Sequence, residues 1–539
     1  MKNKVILLFF TEILLCQNIS YDLSNQFGVE LDNNKIIWNS DQQFDQLLID
    51  SSSKYFKQRF NSFHFDDIKI DSTYTKSKFS YEFGDYGLDI LNIGLKKYSQ
   101  DSNFQFLGLK KSFFGNYSEF ADADSSPLSL LYKIDYSKRF KKHSMAFSLG
   151  YFKTSSDFLF DSIEDNANNK EFSDFISLTL VDKFQKGIWN YGFEFNHITK
   201  HDKLFLLEEF LDSDIDINRN ILRINANNDK NVSLELYLDN KFYFDSRSNQ
   251  TIDNPLQSYS QNSLHLISNN IFKSSKIKYG FDYFKGSSPY IIDGNGRSDS
   301  KEMLPNFAYE LNHNSGNQTY SFLLDIINKP TTFLFNNPNY QNIETWNTIN
   351  LNYNFFSGFI LETNLQWIEA SGITAYNNNS NSFSIISDDL LSFNTKFSFS
   401  FNDNHNINLA YYHNFYDSII SSNRSDIINI NYHFNTLLVN QKLGVRGNIS
   451  LAYYSKNNSE FSFDYFRNIP TIDNSFQEEK NYNIGANLDI SIADVILTFR
   501  VNNMLHRLPI DGDYSIRTHE LFNPINSLVS FGILWEFDD

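Results

Sequence analysis

The chain has 539 residues, a hydrophobic fraction of 41 %, an aromatic fraction of 17 % that includes 54 Phe and 31 Tyr, and a formal net charge of −18. So many aromatics argue against a disordered, solvated chain, and together with a mean hydropathy of −0.42 they argue against helical membrane spans, which need about 20 consecutive apolar residues. The acidic excess argues against nucleic acid or an anionic membrane surface as a partner.

At the N-terminus, Lys2 and Lys4 precede an apolar run over 5–15, interrupted by Glu12. Residues 1–20 read as a secretory signal peptide that is removed from the mature protein. Cys16 is the one cysteine, so neither an intrachain disulfide nor a cysteine-based zinc site can form. A lipoprotein reading, with Cys16 acylated, ranks second because Leu15 stands where a small residue is expected. Residues 21–76 read as a short pre-barrel segment. Phe44, Leu47 and Leu48 have helical spacing there, broken by Ser51, Ser52 and Ser53.

From residue 77 onward one pattern repeats. Met145, Phe147, Leu149 and Tyr151 alternate with Ala146, Ser148, Gly150 and Phe152; Ile349, Leu351, Tyr353 and Phe355 alternate with asparagines. The same alternation runs through 393–402, 428–435 and 448–453. Period two with β-branched and aromatic enrichment predicts strands. The Asn-, Asp-, Ser- and Gly-rich stretches 161–170, 293–301 and 377–382 predict loops. A soluble β-sandwich shows the same alternation. Strands of about 9–11 residues, an apparent leader and aromatics at strand ends favour a membrane barrel. Tyr411, Tyr412, Phe415 and Tyr416 are the expected interfacial girdle. The expectation is an all-β fold, one transmembrane antiparallel β-barrel over 77–539 with roughly 20–24 strands, an even number.

The chain ends in SLVSFGILWEFDD. Val529, Phe531, Ile533, Trp535 and Phe537 share one strand face; Ser530, Gly532 and Glu536 lie on the other. Ser530, Gly532, Trp535 and Phe537 resemble the C-terminal β-signal of bacterial outer-membrane proteins, with the departure that Asp538 and Asp539 follow the last aromatic. In that family the assembly machinery pairs with this strand, a form of β-augmentation. With the strand 495–503 and the loop after it, the C-terminal region is similar to the end of a TonB-dependent receptor barrel or a related porin. The resemblance covers 495–539 and the general strand pattern. A full receptor would carry a glycine-rich plug domain. The 21–76 segment is too short for one and holds a single glycine, Gly28, so a plug-less barrel is expected.

No tight catalytic motif is present. His433 lies on the polar face of a strand and reads as a lumen or loop histidine, so no enzyme activity is expected. Asp293, Asn295 and Asp299 resemble the start of a calcium loop, but Leu304 occupies the position of the closing Glu. Asp212, Asp214 and Asp216 share one parity. Solvated loops are the preferred reading of both, and no metal or cofactor is expected. The functional expectation is a porin-like channel in the outer membrane of a Gram-negative bacterium, with lipid, the barrel assembly machinery and small solutes as partners. The alternative is the barrel of a receptor-like transporter working with a separate plug or surface lipoprotein.

Overall fold

The computed structural model describes residues 30–32, 35–37, 74–112, 128–157, 170–206, 211–228, 232–245, 256–269, 275–288, 298–330, 343–377, 380, 382–402, 404–416, 418, 425–439, 443–456, 462–464, 469–472, 480–507 and 527–538. The signal-peptide reading of 1–20, the helical spacing near Phe44 and most of the 161–170 loop lie outside them. So do the first five residues of the 293–301 calcium-loop motif.

Two short strands, β1 (Glu30–Asp32) and β2 (Lys35–Ile37), pair as an isolated hairpin. The barrel starts with β3 (Tyr74–Gly84), three residues ahead of the expected start, because Tyr74 to Lys76 extend the ladder opposite Tyr98 to Lys96. It continues with β4 (Asp89–Tyr98), β5 (Ser102–Ser112), β6 (Leu128–Phe140), β7 (His143–Asp157), β8 (Lys170–Lys186), β9 (Trp189–Leu206), β10 (Leu211–Asn228) and β11 (Val232–Asp245). Then come β12 (Leu256–Asn269), β13 (Ser275–Ser288), β14 (Ser298–Ser315), β15 (Gln318–Pro330), β16 (Ile343–Phe356), β17 (Phe359–Asn377), β18 (Ser382–Asn402) and β19 (His405–Asn414). The chain finishes with β20 (Asp426–Leu438), β21 (Leu443–Tyr454), β22 (Ser462–Asp464), β23 (Ile469–Ile472), β24 (Asn481–Ile492), β25 (Val495–Asn502) and β26 (Leu528–Asp538).

The sheet closes on itself. β3 to β21 pair antiparallel in chain order, β21 pairs directly with β24, and β26 returns to β3. The ring therefore has 22 strands among the described residues, inside the expected range. Closure leaves no sheet edge, the condition for a spanning sheet in hydrocarbon. All five stretches read as strands from their alternation lie in the ring. The predicted loop 293–301 is corrected at its end, because Ser298 to Lys301 already pair with Ser288 to Lys285 in β14.

The connections alternate in length. At one end they are tight, as at 141–142, 187–188, 316–317, 357–358 and 493–494. At the other they include 113–127, 331–342, 455–480 and 503–527. Gly187 and Gly316 sit at φ +66° and +60°, the left-handed geometry that two-residue hairpin turns demand. The 455–480 connection carries β22 and β23. β23 runs parallel to the end of β17, Thr471 opposite Tyr376, so this connection reaches from β21 across to β17 at the long-connection end.

Candidate functional site: the lumen and its closing seam

Strand parity sorts the wall into two surfaces. Outward, Phe531, Ile533, Trp535 and Phe537 are all exposed, as are Phe79, Tyr81 and Phe83 on the neighbouring β3. Leu351, Leu365 and Leu451 continue the belt on other strands. Its upper margin turns polar: Asn347 donates to Glu369 at 3.3 Å, and His413 Nδ1 lies 2.9 Å from Asp426. An exposed apolar belt encircling a closed sheet is a surface made for hydrocarbon.

The expected girdle is corrected at one residue. Tyr411, Phe415 and Tyr416 stand at this outward margin, and the Tyr411 hydroxyl donates to Asp426 at 2.8 Å. The Tyr416 hydroxyl donates to Asp389 at 2.8 Å; burial first, then this carboxylate, push its pKa up to about 12. Tyr412 is only 3 % exposed and packs inside with Ile427, Ala452 and Tyr454. Adjacent residues of a strand cannot share a face, so Tyr411 and Tyr412 belong to different surfaces.

Inward, the wall is polar and several of its charges are paired. Asn364 Nδ2 donates to Asn352 at 2.6 Å and also to Asn350, and Asn352 donates to Ser321 at 2.9 Å. Lys133 and Asp135 pair at 3.2 Å. Arg223 bridges Glu194 at 3.4 Å and Glu235 at 3.1 Å. The first pair lies along β6 and the second spans β9, β10 and β11, and together they place both signs of charge on the lumen. At the long-connection end the inner face changes character: Ala370, Ile373 and Ala375 are fully buried, and Trp346 Nε1 donates to the buried Glu344 at 3.0 Å.

The first and last strands meet in a dense polar seam. Ser530, 2 % exposed, donates to Glu82 at 2.6 Å, and Arg500 on β25 reaches across β26 to the same carboxylate. Lys76 pairs with Glu536 at 3.0 Å, and the Val529 amide donates to Asp85 at 2.9 Å. Gly532 lies between Thr498 and Glu82 in the ladder. A Cβ there would stand 2.5 Å from Thr498 Oγ1 and 3.2 Å from the Tyr81 carbonyl. On the lipid side, the Phe531 ring packs 4.9 Å from Phe499 and 6.2 Å from Phe83, and Trp535 lies 4.6 Å from Phe537. Sequence reading missed Gly84, whose Cβ would meet the Val529 carbonyl at 2.5 Å; a lone glycine at a strand end gives no signal of its own.

The Glu82–Arg500 pair yields a direct test. Removing one member of a largely desolvated pair leaves the other uncompensated, whereas removing both does not. With side chains 14 % and 26 % exposed, Arg500→Ala should cost about 1–3 kcal/mol. The Glu82→Ala/Arg500→Ala double variant should lose less than the sum of the single losses in denaturant unfolding from vesicles. Strict additivity would show that the seam pair is not coupled.

The remaining candidates are dispersed. His433 faces inward on β20, registered between Asn406 and Asn448. Asp212, Asp214 and Asp216 are strand residues of β10, opposite Phe205, Lys203 and His201, not a solvated loop. Among the described residues no group of three or more His, Cys, Asp or Glu side chains could hold a metal ion.

No family model matches the sequence, and no curated protein matches it. Solved structures do match its shape. The FrpB iron transporter from Neisseria meningitidis aligns with a TM-score of 0.66 at 9 % identity, over 87 % of this chain and 82 % of that one. The ferric yersiniabactin uptake receptor FyuA from Yersinia pestis aligns at 0.64 and 10 % identity, over 86 % and 80 %. The ferripyoverdine receptor of the outer membrane of Pseudomonas aeruginosa aligns at 0.65 and 10 % identity, over 87 % and 72 %. The fold is thus that of the large outer-membrane β-barrels of these three proteins.

Proposed function

We propose that the chain is the barrel of a receptor-like nutrient transporter in the outer membrane of a Gram-negative bacterium. The observation that carries this reading is the size of the ring. Aqueous diffusion pores are built on about 16–18 strands, whereas rings of 22 strands enclose a lumen wide enough to need a plug. The 22-strand closure therefore favours the receptor alternative over the porin expectation, and the shape shared with three iron or ferric-chelate receptors supports the same choice. The cargo in this reading is a compact, polar metal chelate, because an Asn-rich, ion-paired wall offers hydrogen bonds without strong selection for one sign of charge. A separate plug protein or surface lipoprotein closes the lumen. Ser530, Gly532, Trp535 and Phe537 form the strand that the barrel assembly machinery engages, and the barrel performs no bond chemistry.

The test is conductance in a planar bilayer. Protein extracted in mild detergent with its partner should be electrically silent. Stripping the partner with high salt or urea should open large steps, and adding it back should close them. Stable steps of one size, indifferent to any co-purifying protein, would overturn the receptor reading and restore the diffusion pore.

A further inference from the structure

The tight-turn rim of the barrel is not electrically uniform. On the sector from β4 to β8, Lys97, Lys138, Lys141, Lys142 and Lys186 are all exposed. Lys97, Lys138 and Lys186 occupy outward parity, each at the lower margin of the apolar belt. Lys97 is registered beside Phe104, the Lys138 ammonium lies 5.4 Å from the Phe140 ring centroid, and Lys186 follows Phe184 by two residues. Lys141 and Lys142 form the turn between β6 and β7. Exposed apolar side chains lie at the same level: Phe140, Met145, Phe184 and Ile188, with Phe184 stacked 4.9 Å from Tyr191. Asp101 and Asp182 are the described carboxylates nearby, and Asp182 lies 3.3 Å from His143. Elsewhere on this rim the turns 316–317, 357–358, 403–404 and 493–494 contain no cation, and the connections 229–231, 270–274 and 439–442 contain one lysine each. A basic arc in a chain of net charge −18 is a local construction.

Long lysine stems lie along apolar surface while their ammonium groups seek the polar boundary. Outward lysines one step beyond a lipid belt place positive charge at headgroup depth, where an anionic lipid gains about 1 kcal/mol per cation. We propose that this arc is a binding surface for anionic phospholipid headgroups of the leaflet at the tight-turn side, and that it selects them over zwitterionic ones. The proposal rests on the membrane reading of the barrel. Each phosphate would meet two or more ammonium groups, with its acyl chains against Tyr136, Phe140 and Phe184.

Trp189 is a local reporter, since it is registered opposite Lys186 and shares the outward parity of Tyr191 and Phe193. The full-length protein would be reconstituted in phosphatidylcholine vesicles containing a minor fraction of lipid brominated near the top of its chains. The loss of fluorescence in the parent relative to Trp189→Phe isolates this side chain. Brominated phosphatidylglycerol should report a local enrichment of at least about fivefold over brominated phosphatidylcholine, the equivalent of one lysine contact, rising toward about thirtyfold for two. The excess should vanish near 0.5 M salt, where screening is short-ranged, and in the variant combining Lys138→Gln, Lys141→Gln, Lys142→Gln and Lys186→Gln. Equal quenching by both lipids would overturn the proposal, pointing to some other acidic partner, and leave the membrane reading intact. No quenching of Trp189 by either lipid would overturn the membrane reading itself.

Discussion

Gly532→Val is expected to leave most of the protein outside the closed barrel. Its Cβ would sit 2.5 Å from Thr498 Oγ1, 3.2 Å from the Tyr81 carbonyl and 3.3 Å from Glu82 Cβ. The Thr498 hydroxyl can rotate away, but the Tyr81 backbone cannot without opening the β26–β3 ladder. Overpacking of this kind costs about 1–3 kcal/mol for a small intrusion, and valine adds two methyl groups beyond the Cβ. Closure is the last pairing a barrel must make, so the loss should appear as a missing compact, heat-modifiable species in unboiled gel electrophoresis. Gly532→Ala should fold with reduced stability, and Thr498→Ala should restore much of that loss, because the two side chains compete for one space. Gly84→Val should behave like Gly532→Val, since its Cβ meets a backbone oxygen at 2.5 Å. If Gly532→Val folds in the same yield as the parent, the glycine has no steric role in closure.

The last strand shows what sequence can and cannot disclose. Its parity placed Phe531, Ile533, Trp535 and Phe537 on one face before any coordinates, because period-two alternation is a local property of the backbone. The partners of the opposite face were hidden. Ser530 meets Glu82, which lies at the other end of the chain, and only closure brings the two together. The ring size was legible only as a range, since strand count depends on where ladders stop and alternation does not mark that.

The covered patches at the mouth were legible in a form that is easy to overlook. Tyr411 with Tyr412, Ile427 with Ile428, and Tyr453 with Tyr454 are apolar at both parities. Such doubled positions occur where both faces of a strand are covered. In this barrel they cluster at the long-connection ends of β19, β20 and β21, where Tyr412, Ile427 and Tyr454 form the inner cluster. Asp212, Asp214 and Asp216 illustrate the converse. An acidic run looks like a loop, but β10 extends through it because β9 keeps pairing with all three aspartates, and β11 with Asp216, beyond the apolar belt.

Phe397→Arg and Ser398→Arg should differ sharply although the residues are adjacent. Phe397 faces outward between Leu361 and Leu409, its ring 5.4 Å from that of Phe359. On β18 the apolar belt runs from Phe401 to Leu391, so Phe397 is near its middle. A guanidinium there would enter hydrocarbon near the bilayer midplane, at a cost of about 2–4 kcal/mol. Ser398 faces inward beside Asn408, where arginine extends into a polar lumen and should change stability by no more than about 0.5 kcal/mol. Equilibrium unfolding from lipid vesicles measures both. Equal losses would mean that the two faces see the same environment, which no membrane barrel allows. A large loss at Phe397 but not at Ser398, repeated at Phe531, would trace the hydrocarbon boundary across the closing seam, whereas a loss at the buried Ser530 would come from its packing against Glu82. It would also separate the two functions of the last strand: its outward face holds the barrel in lipid, and its inward face fastens the ring.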